Sequence, residues 1–202
     1  SAGRYTGLVY PRDTLRADRC GYFEMEVGGD GSYVGSIRLA NSVAELRGEF
    51  DDNWQSAQSI GRPSGQPITI NLSLDRKSGG DSITGGFDAD GAPVVMRAYR
   101  VVSGSEANPV IKAGRYTLVI PSPPDAGQSP VGDGFGEVFI DSLGRLRFQG
   151  ELPDGTRVSQ ESQISRNGVW PLYVPLYGGQ GALAGWISVT NHTDLDLYGD
   201  LR

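Results

Sequence analysis

The sequence contains an internal repeat, and this repeat limits the possible folds more than any other feature. Three blocks of the first half recur in the same order in the second half: 2–6 as 113–117, 67–72 as 171–176, and 79–87 as 178–186. The first block, Ala-Gly-Arg-Tyr-Thr, is identical in both copies and precedes an apolar stretch and a proline. We therefore predict two related units, 1–102 and 113–202, joined by a linker at 103–112, either as separate bodies or as parts of one barrel.

Glycine punctuates both units and separates short runs in which apolar and polar residues alternate. The chain has 30 glycines in 202 residues, about twice the usual share. Alternation with a period of two is typical of β-strands, because successive side chains of a strand point to opposite faces. In the first unit we predict strands at 4–9, 22–27, 33–39, 44–50, 68–74, 82–87 and 94–101. In the second unit we predict strands at 115–120, 136–140, 145–152, 158–165, 169–177, 183–190 and 195–201.

The same alternation assigns faces to the strands. Ile68, Ile70 and Leu72 share one side of their strand, whereas Thr69 and Asn71 share the other. A sheet with one apolar face must close on itself or pack against a second sheet, and glycines within strands suit the bends of a curved sheet. We therefore predict an all-β fold: an antiparallel meander that forms a β-barrel or two packed curved sheets, built from an internal duplication.

The charge balance excludes one class of partner. With 18 Lys and Arg against 24 Asp and Glu, the net charge is −6 at pH 7, so the chain has no excess of positive charge for nucleic acid phosphates. Its apolar runs are much shorter than the roughly 20 residues of a membrane-spanning helix, and we expect no membrane insertion. Cys20 is the only cysteine and His192 the only histidine. An internal disulfide is therefore excluded, and the usual residues of a nucleophilic or zinc site are scarce.

Acidic residues are the remaining candidates for chemistry. Residues 88–91 (Asp-Ala-Asp-Gly) and 51–53 (Asp-Asp-Asn) offer oxygen ligands for calcium, but both patterns are also typical of turns, and the sequence leaves calcium binding open. The carboxylate pairs that could act on a glycosidic bond are Glu24 with Glu26 and Glu137 with Glu151. A solvated strand face gives the same spacing. We expect no catalytic residue, no metal and no cofactor.

Three aromatic residues of the second unit are the best candidates for a binding surface. If Leu172 and Val174 face the core, strand parity places Tyr173 and Tyr177 on the opposite face. Trp186, on the next strand, falls on the same surface. Aromatic rings stack on sugars and anchor protein interfaces. We therefore predict Tyr173, Tyr177 and Trp186 as ligand-binding residues, with burial of these residues between the two units as the alternative.

Several of these segments resemble a known type of domain. The Gly-Arg-Tyr-Thr openings, the segment 170–173 (Trp-Pro-Leu-Tyr) and the Gly185-Trp186 pair are similar to a duplicated, glycine-rich β module of large secreted or cell-surface bacterial proteins. A looser similarity, of architecture only, is to the β-barrels of bacterial surface lipoproteins.

This resemblance implies a non-catalytic module of a larger protein, located outside the cell or at its surface. It also implies a binding or structural role. Together with the three aromatic residues above, this predicts adhesion or structural spacing, with a glycan or a neighbouring protein module as partner. The first alternative is a carbohydrate-binding module attached to a glycan-acting enzyme, and the second is a glycoside-acting enzyme that uses strand carboxylates.

Overall fold

The computed structural model describes residues 2–12, 16–61, 66–77, 79–103, 112–121, 132–190 and 197–201. The strands of its first half are β1 (Gly3–Pro11), β2 (Gly21–Val27), β3 (Ser32–Leu39), β4 (Ser42–Glu49), β5 (Gln55–Ile60), β6 (Ile68–Asp75), β7 (Ser82–Asp88) and β8 (Pro93–Arg100). The strands of its second half are β9 (Gly114–Ile120), β10 (Gly134–Ile140), β11 (Arg145–Glu151), β12 (Arg157–Gln163), β13 (Val169–Leu176), β14 (Gly181–Val189) and β15 (Leu197–Leu201). Two short 3-10 turns, Ala17–Arg19 and Tyr177–Gly179, accompany them. In the part of the chain described, no helix has the length and apolar character needed to cross a membrane.

The first eight strands form one sheet that nearly closes into a barrel. The strand order is β4-β3-β2-β1-β8-β7-β6-β5, so the first strand pairs with the last. Alternate side chains of these strands point inward and form one apolar core. Tyr5, Phe23, Met25 and Leu46 are among its fully buried members. The outer face of the barrel remains free to contact the second half of the chain.

A glutamine side chain bridges the two edge strands of this barrel, β4 and β5. Oε1 of Gln58 accepts a hydrogen bond from the Arg47 N–H at 2.9 Å, and its Nε2 donates to the Glu45 carbonyl at 3.3 Å. The hydroxyls of Tyr33 and Ser56 add a hydrogen bond of 2.8 Å between β3 and β5. Side chains therefore join the edges at the point where the backbone ladder of the sheet ends.

The remaining seven strands form two sheets that enclose a second core. Their orders are β12-β11-β10-β9 and β13-β14-β15. In the core the Phe148 and Trp170 rings lie 5.4 Å apart. Gln160 of β12 joins the two sheets, because its Oε1 accepts from the Trp170 indole N–H at 3.0 Å and from the Tyr173 N–H at 3.2 Å. Its Nε2 donates to the Pro171 carbonyl at 3.0 Å.

The predicted all-β fold of antiparallel sheets is confirmed. Sequence patterns predict each of the described strands except β5, whose sequence Gln-Ser-Ala-Gln-Ser-Ile has no apolar alternation. Of the predicted linker, residues 104–111 lie outside the described residues. Each half has its own buried apolar cluster. The duplication itself stays a prediction.

A third apolar cluster lies where the two halves meet. Leu8 and Cys20, on the outside of the barrel, pack against Tyr173 of β13. Trp186 of β14 joins the same cluster, and its ring meets the ring of Tyr99 of β8 edge to face, with 5.1 Å between centroids. The outer face of β13 and β14 is therefore covered by the outer face of the barrel.

Polar contacts extend this interface. The Tyr173 hydroxyl accepts a hydrogen bond from the Ala40 N–H at 3.1 Å. Nη1 of Arg166 lies 3.4 Å from Oδ1 of Asp81, and the Arg166 N–H donates to the Arg100 carbonyl at 2.9 Å. These contacts hold the two halves in one arrangement and define the cleft described next.

Candidate ligand-binding site

A cleft of about 790 Å³ lies between the two halves, beside the apolar cluster that joins them. One wall is formed by outward residues of β1, β2 and β3, and the other by residues of β11, β12 and β13. Strand alternation explains its chemistry: apolar residues fill the two cores, and polar residues of both halves are left to face each other. We call this space the interunit cleft.

Arginines and carboxylates alternate along the walls of the interunit cleft. The ion pairs are Arg4 Nη2 with Glu24 Oε2 at 2.5 Å, Arg147 Nη2 with Glu161 Oε1 at 3.2 Å, and Arg145 Nε with Asp141 Oδ2 at 2.6 Å. Arg38 of β3 is a fourth arginine of the lining. All three pairs include side chains that are substantially exposed, where an ion pair contributes little to stability. Their arginines are therefore available to a ligand.

The Asp141 carboxyl is poorly suited to proton donation. Burial tends to raise its pKa, but hydrogen bonds from the backbone and side chain of Arg145 and from the Leu143 N–H outweigh this effect and hold the pKa below its usual value. A general acid at neutral pH needs a raised pKa. Asp141 therefore serves as a charged partner of Arg145.

The floor of the interunit cleft carries buried polar atoms without partners. Thr6 is 1% exposed, and its Oγ1 makes no hydrogen bond with any residue that the structure describes. The same holds for Ser162 Oγ and Gln163 Oε1. Such atoms are uncommon in proteins and unfavourable, since each has lost water without gaining a partner. Because water does not reach these atoms, a ligand hydroxyl bonds to them only if the walls of the cleft separate slightly.

Tyr22 lies beside these floor atoms. Burial raises the pKa of its hydroxyl, and the nearby Ser162 and Thr6 hydroxyls lower it in part, although neither completes a hydrogen bond of full geometry. The phenol is therefore protonated at neutral pH and able to donate a hydrogen bond. It adds a fourth polar group to the floor.

The outer face of the sheet next to the interunit cleft exposes two phenylalanines of β10. Phe135 is 60% exposed and Phe139 is 47% exposed. The Arg115 guanidinium lies over the Phe139 ring, 5.7 Å from its centroid. A second hollow of about 440 Å³ lies on this face, and Phe139 and Arg147 line both the hollow and the interunit cleft. We call Phe135 and Phe139 the aromatic face. Phe139 lines the cleft, and Phe135 lies four residues away on the same side of β10.

The predicted aromatic surface of Tyr173, Tyr177 and Trp186 does not form as one exposed patch. Strand parity is as predicted, because Leu172 and Val174 lie in the core. Tyr173, however, is only 4% exposed, and it lies with Trp186 in the cluster between the halves. The predicted exposure was wrong for Tyr173, because the barrel covers that face of β13. For this residue the alternative, burial between the two units, applies.

Tyr177 lies apart from the other two predicted residues. It is 57% exposed, and its hydroxyl donates a hydrogen bond to Asp154. This bond is the largest cause that raises the pKa of Tyr177 and lowers that of Asp154. The structure thus brings Tyr173 and Trp186 together at the interface and leaves Tyr177 on the surface. Ligand binding by these three residues stays a prediction.

The alternation of residues in β10 predicts the aromatic face, although the sequence prediction above placed the binding residues on β13 and β14. In Gly-Phe-Gly-Glu-Val-Phe-Ile the inward positions include Gly136 and Val138, so Phe135 and Phe139 must point outward. Gly136 is needed inside, because a Cβ there would lie 2.5 Å from Cε2 of Phe148. Because Gly136 and Val138 occupy the inward side of β10, the two phenylalanines on the other side are predicted to expose their rings.

The carboxylate pairs considered for glycoside hydrolysis are spread over strand faces. Glu24 is paired with Arg4, and Glu26, two residues further along β2, is exposed. In the β10 and β11 register, Glu137 faces Gln149 and Glu151 faces Phe135. His192 lies outside the described residues.

The acidic segments considered for calcium are turns whose carboxylates bind backbone amides. Oδ1 of Asp88 accepts from the Gly91 N–H at 2.6 Å. Oδ1 of Asp51 accepts from the N–H groups of Asn53 and Gln55 at 2.9 and 2.8 Å. Among the residues described, there is no group of three or more His, Cys, Asp or Glu side chains that could hold a metal ion.

Comparisons with known proteins give no match for this chain: no family model, no curated protein and no solved structure is significantly similar to it. The candidate site is therefore defined by its geometry alone. It consists of the interunit cleft, its polar floor and the adjoining aromatic face.

Proposed function

We propose that this protein is a non-catalytic extracellular module of a larger surface protein, and that it acts in adhesion by binding a glycan. The observation that carries the proposal is that exposed Phe139 lines a polar, arginine-rich cleft, with exposed Phe135 on the same face of β10. Flat apolar rings stack on the apolar faces of sugars, while arginines and hydroxyls bind sugar hydroxyls. A surface with both features suits a glycan better than it suits an apolar ligand.

The electrostatics of the interunit cleft support binding over hydrolysis. Each carboxylate of the walls has an arginine as its neighbour. Glycosidases instead use one carboxyl with a raised pKa as acid and a second one at a set distance. The lowered pKa of Asp141 argues against the acid role.

Glycan binding can be tested with two alanine variants and one matched control. We expect wild-type protein to bind members of a glycan panel that contains neutral and acidic polysaccharides. Phe139→Ala should lower the affinity about tenfold and Phe135→Ala somewhat less, because stacked rings are typical hot spots. Tyr198→Ala removes another exposed aromatic ring, outside the aromatic face, and should leave binding unchanged. Binding can be measured by affinity electrophoresis and calorimetry.

A structural spacer is the second candidate function, and the interface between the halves favours it. Tyr173, Asp81 and Arg166 make polar contacts across this interface, as expected of a rigid element in a chain of modules. If no glycan binds and neighbouring modules of the parent protein bind the aromatic face, the spacer role replaces the glycan proposal.

A further inference from the structure

Among the described residues of the interunit cleft, Arg38 is the arginine that forms no ion pair. It is exposed on β3 and lines the cleft, and its guanidinium makes no hydrogen bond or ion pair with any other described residue. The other three arginines of the lining each contact a carboxylate. The described lining therefore holds four arginines against three carboxylates, in a chain whose overall charge is −6. This local excess favours a ligand group with negative charge.

Arginine also specifies the shape of that group. Its planar guanidinium binds a carboxylate through two parallel hydrogen bonds, which a point charge cannot do. Since the wall pairs are exposed, Arg145 and Arg147 can exchange part of their contact with protein carboxylates for contact with a ligand carboxylate at little loss. These two arginines lie two positions apart on β11, about 7 Å along the strand, so they offer repeated sites to a polymer.

The cleft floor requires hydroxyl groups as well as charge. Thr6 Oγ1, Ser162 Oγ and Gln163 Oε1 are buried and have no hydrogen-bond partner within the described part of the chain, and the Tyr22 hydroxyl lies near Thr6 and Ser162. An acidic peptide offers carboxylates, but its side chains bring neither the hydroxyls for this floor nor the flat ring face for Phe139. A sugar acid offers all three features in each residue.

We propose that the interunit cleft binds an acidic polysaccharide, with sugar carboxylates on Arg38 and the β11 arginines, sugar hydroxyls on the floor, and a sugar ring on Phe139. The proposal rests on the proposed function, whose ligand class it narrows. It assigns specificity to charge on the sugar, whereas the aromatic face supplies affinity for sugar rings in general.

The experiment compares four polymers with the full chain. Polygalacturonate carries the carboxylates, its fully methyl-esterified form keeps the sugar backbone without charge, dextran is a neutral glycan, and poly-L-glutamate is an acidic peptide. Affinity is measured by calorimetry at low and at high salt. We expect polygalacturonate to bind at least tenfold more tightly than its ester and than poly-L-glutamate, with an affinity that falls as salt increases.

Two variants locate the binding. Arg38→Gln should weaken polygalacturonate binding about tenfold, the loss expected for a charge-assisted hydrogen bond, and should leave binding of the methyl ester unchanged. Arg97→Gln removes the same charge from the exposed face of β8, outside the cleft, and should change either affinity less than twofold. Circular dichroism and thermal unfolding establish that both variants fold.

The outcomes separate this proposal from the proposed function. Equal affinity for polygalacturonate, its ester and dextran would overturn the acidic specificity and leave glycan binding intact. Equal loss in Arg38→Gln and Arg97→Gln would also overturn it, because the effect would then be general electrostatics. Tighter binding of poly-L-glutamate would replace the polysaccharide with an acidic peptide. Absence of binding to every polymer and to the wider glycan panel would overturn both proposals.

Discussion

At the residue scale, the Thr6 hydroxyl is a group whose effect on folding stability can be distinguished from its proposed effect on ligand binding. Thr6 lies on β1 with its side chain on the outside of the barrel, yet the second half of the chain covers it almost completely. A burial of this kind usually selects a valine, which has the same shape and no polar atom. The unpaired hydroxyl is unfavourable in the free protein, and a bond to the proposed ligand would offset that cost.

We predict that Thr6→Val raises the free energy of unfolding by about 1 kcal/mol, because it removes an unpaired buried hydroxyl and keeps the β-branched shape. The same substitution should weaken polygalacturonate binding severalfold. Thr84→Val is the control, since Thr84 is exposed on the outer face of β7, and it should change neither property. Chemical denaturation and calorimetry provide the two measurements. Destabilisation by Thr6→Val would show that the hydroxyl bonds to Tyr22 within the folded protein.

At the element scale, a glutamine side chain takes the place of a backbone ladder at two strand boundaries, β4 with β5 and β12 with β13. Gln58 binds the carbonyl of Glu45 and the N–H of Arg47, and Gln160 binds the carbonyl of Pro171 and the N–H of Tyr173. In both cases the two backbone groups are two residues apart. A side-chain amide has one carbonyl and one NH₂ group, so it satisfies a strand edge as a peptide group does.

We predict that Gln160→Leu destabilises the protein by about 3 kcal/mol. It leaves the Trp170 indole N–H and the Tyr173 N–H without their acceptor at a partly buried position, and each unsatisfied donor costs about 1 to 3 kcal/mol. Gln149→Leu, at an exposed position of neighbouring β11, should change stability by less than about 0.5 kcal/mol. Urea unfolding measures both. Equal effects would mean that the bridging bonds contribute nothing.

The sequence predicts strands and their faces well because one side of almost every strand is apolar. β5 is the exception. It lies at the edge of the sheet and is held by hydrogen bonds of Gln58 and Ser56, so its sequence has no alternating apolar residues from which a strand could be predicted. The covering of Tyr173 is also beyond local patterns, since an outward aromatic residue looks the same whether water or a second sheet faces it. The interunit cleft depends on that long-range contact, and the sequence alone therefore does not predict it.

At the scale of the whole molecule, two cores are joined through a small third cluster. Each core stabilises its own half of the chain. The third cluster, which contains Leu8, Cys20, Tyr173 and Trp186, fixes the orientation of one half relative to the other. The walls of the interunit cleft come from opposite halves. Its shape therefore depends on the third cluster more than on either core, and a change in that cluster should open the cleft without unfolding the barrel.

The rate at which a thiol reagent modifies Cys20 measures this opening of the cleft. The thiol is buried between the halves, and burial is the main cause that raises its pKa, so a thiol reagent should modify native protein slowly. We predict that Trp186→Ala increases the modification rate about tenfold, because it removes the ring contact with Tyr99 and favours the open arrangement. Phe135→Ala, which removes an exposed ring, should leave the rate unchanged. If instead Trp186→Ala leaves Cys20 as protected as in wild type while the melting temperature falls, the ring stabilises one half rather than the contact between them.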